Sequence, residues 1–455
     1  MHYYPLGVLI LSWGFWLWDT YLDYRQYRVY TKAQKVPDEL EGKIDHETFM
    51  KARAYSIDKS RFGFIASIFS QLQSTATIVY FLLPYLWDVS HQIMSATFGF
   101  SKSESIEWEI FQSLTFVLLT SVISTLVNLP FSIYSTFVIE QRHGFNKQTP
   151  GFYAWDKLKK FVVGFLISAP IVSAIIYIVR KGGPYFFLYL WIFCFVVVCI
   201  LTFFHGEIAA LFDKFTPLPA GELREKIEEL SGGLKFPLSN IFVVEGSKRS
   251  AHSNAYQSGF FNRKRIVIYD TLIEGYYENM KGEAKSEETD SSASKEEKDK
   301  KTPKKGCNNE EILAVLCHEL GHWHCSHLIK HLTFAEINYF LIFVIFSKFY
   351  RDSTFYAAFG FQEMPTVIGL LLLTLILTPY NELQGFIATA LSRRFEYQAD
   401  EFAAKMGYTE KLKTALLKLN IDNLGCPVYD ELYSKFNHSH PTLIQRLRAL
   451  SKKQQ

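Results

Sequence analysis

The chain has 455 residues, and 48 Lys and Arg against 45 Asp and Glu leave it almost neutral at +3. A balance that even excludes a broad nucleic-acid-binding face as its organising feature. Hydrophobic residues make up 49% and aromatics 16%, and they are gathered into long apolar stretches separated by charged ones, the pattern of a multi-pass membrane protein.

Seven stretches have the length and composition to cross a bilayer: residues 5–19, 63–87, 111–139, 161–179, 184–205, 332–350 and 365–391. The first follows Met1 with neither a basic leader nor a small-residue cleavage site, so it reads as a retained helix. Basic residues crowd two connections. The 20–62 loop holds Arg25, Arg28, Lys32, Lys35, Lys43, Lys51, Arg53, Lys59 and Arg61, and the 140–160 loop holds Arg142, Lys147, Lys157, Lys159 and Lys160. The 88–110 connection holds only Lys102. Positive charge marks the cytosolic side, so the N-terminus is expected in the lumen, with 206–331 and 392–455 in the cytosol. The expected organisation is therefore 1–205 (five spans and their loops), 206–331 (a cytosolic part), 332–391 (two spans) and 392–455 (a cytosolic C-terminal part).

Within 206–331, residues 221–233 are predicted to be helical, and Ile241–Glu245 and Arg265–Asp270 to be strands. Between the strands, Ser253-Asn-Ala-Tyr256 precedes a turn at Gly259. Asn254, Ala255 and Tyr256 suit a sheet edge that adds an extended peptide as a further strand. An ordinary hairpin beside the core is the competing reading. Residues 280–309 form a Lys/Glu/Ser run without aromatics, expected to be a solvated, disordered insert. The cysteines at 194, 199, 307, 317, 325 and 426 contain no C-x-x-C pair, so neither a structural disulfide nor a separate zinc knuckle is expected. The chain ends Lys452-Lys-Gln-Gln455, either a dilysine retrieval signal of the endoplasmic reticulum or an accidental basic tail.

Residues 318–322 read His-Glu-Leu-Gly-His, just before the sixth stretch. On a helix, His318 and His322 share a face and can bind one zinc ion, with Glu319 beside them as a base for water. A histidine-rich surface helix is the alternative, because His324, His327 and His331 follow. Gly321 costs a helix about 1 kcal/mol against Ala, which makes sense if a strand or a substrate must come close there. A catalytic zinc usually has three protein ligands. The third is sought in Ser392-Arg-Arg-Phe-Glu-Tyr-Gln-Ala-Asp400, after the last stretch, where Glu396 and Asp400 share a helix face. One of these carboxylates can bind the metal and the other can accept the remaining N–H of a ligating histidine. Surface ion pairs with Arg393 and Arg394 are the alternative. Two crossings between His322 and Glu396 return the chain to the same side of the membrane, so the candidates can meet.

Asn128-Leu-Pro-Phe131, His143-Gly-Phe-Asn146, Ser253–Tyr256, His318–His322, Arg393–Asp400 and Ser439-His-Pro441 together resemble the motifs of the zinc-dependent CAAX prenyl endopeptidases, seven-span metalloproteases of the endoplasmic reticulum and inner nuclear membranes. The resemblance implies a mainly α fold, a barrel of about seven membrane helices around a water-filled chamber, with a cytosolic zincin-like α+β part. It implies one Zn2+ held by His318, His322 and Glu396, Glu319 as general base, and Asp400 behind a ligating histidine. His440 and Arg446 would lie near the scissile carbonyl or the product carboxylate, and Asn254, Ala255 and Tyr256 along the substrate. Asn128, Asn338, Asn381 and Glu382 would face the chamber, although helix–helix hydrogen bonding also accounts for the asparagines. The implied substrates are farnesylated CAAX proteins that lose their last three residues, at a bilayer and with no nucleic acid involved. A broad-specificity quality-control zinc protease and a non-catalytic membrane scaffold are the alternative functions.

Overall fold

A computed structural model describes residues 3–99, 103, 105–259, 263–276 and 305–452; most of the expected 280–309 insert and residues 453–455 lie outside them. The membrane part opens with α1 (Tyr3–Lys32), α2 (His46–Val79), α3 (Leu82–Phe98), α4 (Ile106–Tyr134), α5 (Pro150–Lys181) and α6 (Phe186–Phe203). Local chemistry sets several of the starts. Asp45, Ser105 and Thr149 each accept a backbone N–H from the first turn of α2, α4 and α5, and Pro150 occupies the first turn of α5, where a missing N–H costs nothing. Beyond α4 the helix continues through a wider π turn at Ser135–Glu140.

Among the described residues, five segments are long and apolar enough to span a bilayer: His46–Val79, Ile106–Glu140, Pro150–Lys181, Gly183–Phe203 and His327–Phe349. A sixth is obtained if Thr366–Ile376 and Thr378–Lys405, bent by 68° at their junction, count as one. The expected count of seven is thus not reached on these criteria. The first expected stretch lies in α1, a 30-residue helix whose Trp and Tyr content dilutes its aliphatic run. The second expected stretch, 63–87, is interrupted where Phe81 adopts a left-handed conformation (φ 51°), and the chain continues as α3. There Trp87 buries against Phe116 of α4, with ring centroids 5.6 Å apart, so part of the expected 88–110 connection is helix.

A lobe of strands and helices follows: α7 (His205–Ala210), β1 (Phe215–Pro217), α8 (Glu222–Gly233), β2 (Leu238–Val244), β3 (Ala255–Ser258), β4 (Lys264–Tyr269) and α9 (Asn309–His324). The sheet order is β1-β2-β4-β3, with β2 and β4 parallel and the outer strands antiparallel. Alternation puts Ile241, Val243, Ile266 and Ile268 on the inner face, where they bury against Ile227 of α8 and Ile312 and Leu316 of α9. A capping box starts α9: Asn308 accepts the Glu311 N–H, and Glu311 accepts the Asn308 N–H. The chain returns through α10 (His327–Phe349), α11 (Ser353–Ala358), α12 (Thr366–Ile376) and α13 (Thr378–Lys405), and ends with α14 (Thr409–Asp422), α15 (Glu431–Asn437) and α16 (Leu443–Lys452).

The basic loops lie on the lobe's side of the helices. Arg25, near the end of α1, pairs with Asp430 at 3.0 Å, and Arg249 of the lobe pairs with Asp156 at 2.7 Å. Leu40 and Phe49 bury with Cys426 and Leu443.

Candidate active site

Three elements build the site. Helix α9 supplies His318, Glu319 and His322; α13 supplies Glu396 and Asp400; the segment leading into α16 and α16 itself supply His440 and Arg446. Helices α9 and α13 are in close contact because Gly321 has no side chain. A Cβ there would meet the Ala399 Cα at 3.1 Å. The close approach expected at this glycine is therefore to a second helix, the one carrying the candidate third ligand, and neither to a strand nor to a substrate.

His318 Nε2 lies 3.2 Å from His322 Nε2 and 3.5 Å from a Glu396 carboxylate oxygen, and His322 Nε2 lies 3.3 Å from the other oxygen. Ligand atoms at bond lengths of about 2.0–2.1 Å on a tetrahedron are separated by roughly 3.3 Å, so this donor set fits a tetrahedral metal. Among the described residues, these three form the one group of His, Cys, Asp and Glu side chains close enough to share a cation.

His318, one of the three metal candidates, is held from behind. His318 Nδ1 donates to Asp400 Oδ1 at 2.9 Å. Asp400 in turn accepts from Arg446 at both oxygens, at 2.6 Å from Nη2 and 2.9 Å from Nε. The surface ion pairs weighed for Arg393 and Arg394 do not form with Glu396 or Asp400. Arg393 instead donates to the carbonyls of Ser434, His438 and His440 and to the Gln445 side chain, fixing the segment that presents His440. His440 is largely exposed, with Nδ1 2.9 Å from Glu396 Oε2. Arg446 Nη1 lies 3.8 Å from the same oxygen. His440 and Arg446 also line a cleft of about 430 Å3 with Asn420, Asn423, His438 and Thr442.

Burial pushes the Glu319 carboxyl upward in pKa, the direction a base near neutrality needs, although the His318 and His322 charges work against it. Burial and the Arg446 charge push the His318 imidazole down, but its hydrogen bonds to Asp400 and Glu396 outweigh them and raise it to about 9. Burial also opposes the Arg446 charge, and Asp400 more than restores it.

Asn254, Ala255 and Tyr256 lie at and in β3, the edge strand beyond β4. β3 is both a hairpin partner and an edge, so the two readings weighed from sequence describe one element. Gln257 Nε2 donates to the Glu319 carbonyl at 2.9 Å, tying this edge directly to the motif helix. Gln257, Arg393, His327 and Gln398 were not singled out as site residues from sequence. The first two act through backbone groups distant in sequence, which no spacing reveals. His327 stood only in a run of histidines, across a helix break from His322.

Two family models cover the chain: the CAAX prenyl protease N-terminal model, described as five membrane helices, matches residues 26–214, and the Peptidase family M48 model matches 217–454. The chain is similar to the mouse CAAX prenyl protease 1 homolog, with 47% identity covering 99% of this chain and 95% of the mouse protein. Its human counterpart is 48% identical, covering 98% of this chain and 94% of that protein. In structure the chain is similar to S. mikatae Ste24p, with a TM-score of 0.84, 38% identity and 99% of both chains covered.

Proposed function

The chain belongs to the CAAX prenyl protease group of peptidase family M48, multi-pass membrane metalloproteases, and from that premise we propose that it releases the last three residues of farnesylated CAAX proteins at a zinc site. The observation that carries this reading is the His318–His322–Glu396 triad at tetrahedral spacing, joined through Gln257 to β3, the outer strand of the sheet among the described residues.

Held by His318, His322 and Glu396, zinc would supply Lewis acidity to the scissile carbonyl and ease deprotonation of the attacking water near neutral pH. Glu319, one residue after His318 and pushed up by burial, takes the proton from the attacking water and passes it to the leaving amine. Asp400 keeps the His318 proton on Nδ1, which leaves Nε2 the lone pair that a metal would need. Arg446 keeps positive charge beside the site while its fork is anchored on Asp400. His440, with Nδ1 engaged by Glu396, presents Nε2 toward the developing oxyanion or the product carboxylate. Asn254 to Tyr256 pair with the substrate backbone along the β3 edge. A prenyl chain partitions into lipid, which would account for a lobe carried on membrane-spanning helices. The site faces the cytosol from the endoplasmic reticulum or the continuous inner nuclear membrane, by the basic-residue bias of the loops.

The test is tripeptide release from a farnesylated CAAX peptide and its unprenylated twin by the purified protein, with and without a zinc chelator. Release from the farnesylated peptide, lost on chelation and restored by zinc, is expected. Equal cleavage of both peptides and of misfolded membrane proteins would move the assignment to a broad-specificity quality-control protease.

A further inference from the structure

His322 is held by neutral groups where His318 is held by a carboxylate, and we propose that His327 and Gln398 are positioning residues that fix the tautomer in which His322 can bind metal. This rests on the ligand assignment above. His327 Nδ1 lies 2.9 Å from His322 Nδ1, and His327 Nε2 lies 2.9 Å from Gln398 Oε1. Two imidazole nitrogens at that distance share one proton, so one ring donates and the other accepts. An amide oxygen only accepts, so His327 Nε2 carries hydrogen and its Nδ1 keeps the lone pair. His322 Nδ1 is then the donor, and the neutral ring keeps its lone pair on Nε2. That nitrogen is the one 3.3 Å from Glu396 Oε1. The opposite polarity would place hydrogen on His322 Nε2 and close it to a cation.

The relay is built into the packing. His327 is only 2% exposed, and its ring stacks on Phe395 at 4.1 Å with an 8° tilt. Ser326, in the left-handed region (φ 55°), breaks the helix so that the first residue of α10 turns back toward the end of α9. Phe395 and Gln398 flank Glu396 on α13, so one helix supplies both the third ligand and the outer anchor of the second.

The experiment measures zinc affinity of the full-length protein in detergent by chelator competition, with the Co2+ absorption spectrum as a readout of ligand geometry. His327→Phe removes the acceptor and is expected to weaken metal binding ~10–100-fold. His327→Asn places an amide oxygen near the Nδ1 position and is expected to restore affinity and spectrum. Gln398→Leu is expected to weaken binding and Gln398→Glu to hold it, which keeps the test available if His327→Phe fails to fold. The relay is overturned if a folded His327→Phe or Gln398→Leu binds metal like wild type, or if His327→Asn falls as far as His327→Phe. His322→Ala separates the two ideas. Loss there with normal binding in His327→Phe removes the relay alone, whereas retention in His322→Ala removes the ligand assignment beneath it.

Discussion

The membrane helices and the catalytic lobe use the same apolar residue types for opposite purposes. In the lobe, Val243, Ile268 and Ile312 are fully buried and fill the space between sheet and helix. In the spans, Ile65, Leu126 and Leu166 are 60% or more exposed, on helices long and apolar enough to cross a bilayer. Polar groups divide the same way. Around the metal candidates, long side chains are tied to distant partners, from Arg446 on Asp400 to Arg393 on three carbonyls. The lobe is therefore fixed by packing and pairing, so single changes there should reach the chemistry. The lipid-facing surfaces are held by solvent preference, so conservative changes there should be nearly silent.

Substitutions can break or sharpen that contrast. The largest effect belongs to Glu319→Gln, expected to lower peptide release by ~10²–10⁴-fold while zinc content, measured by elemental analysis, stays unchanged. Next is Asp400→Asn, which takes the carboxylate from His318 and removes the charge that anchors the Arg446 fork. Zinc affinity, read by chelator competition, is expected to fall ~10–100-fold. Gly321→Ala follows. Its Cβ would press on the Ala399 backbone at 3.1–3.2 Å, so the thermal unfolding midpoint should fall by an amount equivalent to about 1–3 kcal/mol, with a longer α9–α13 separation. The smallest is Leu166→Met in α5, expected to change stability by under about 0.5 kcal/mol. A large loss there would mean that this surface packs against protein.

Much of the site was legible because its residues lie at helical spacing within short motifs. His318 with His322, and Glu396 with Asp400, announce shared faces, and the intervening crossings place them on one side. The lobe's helix and two strands also follow from alternation and length. What sequence could not show depends on distant contacts or single dihedrals. The expected second span hides a break because Phe81 takes a left-handed conformation, and no local composition signals that. Gly321 declares a close approach, but only the packed helices identify Ala399 as the neighbour. Arg393 looks like a partner for the adjacent carboxylates, yet it bridges more than 40 residues to backbone groups. His327 stays hidden because the helix break after Cys325 removes it from the motif's periodicity.

The central claim is that His318, His322 and Glu396 together hold one catalytic metal. Its most direct test is the zinc-to-protein ratio of purified full-length wild type and Glu396→Ala. The account expects one zinc per wild-type chain and a large deficit in the variant. One zinc retained per chain by a folded Glu396→Ala would contradict it.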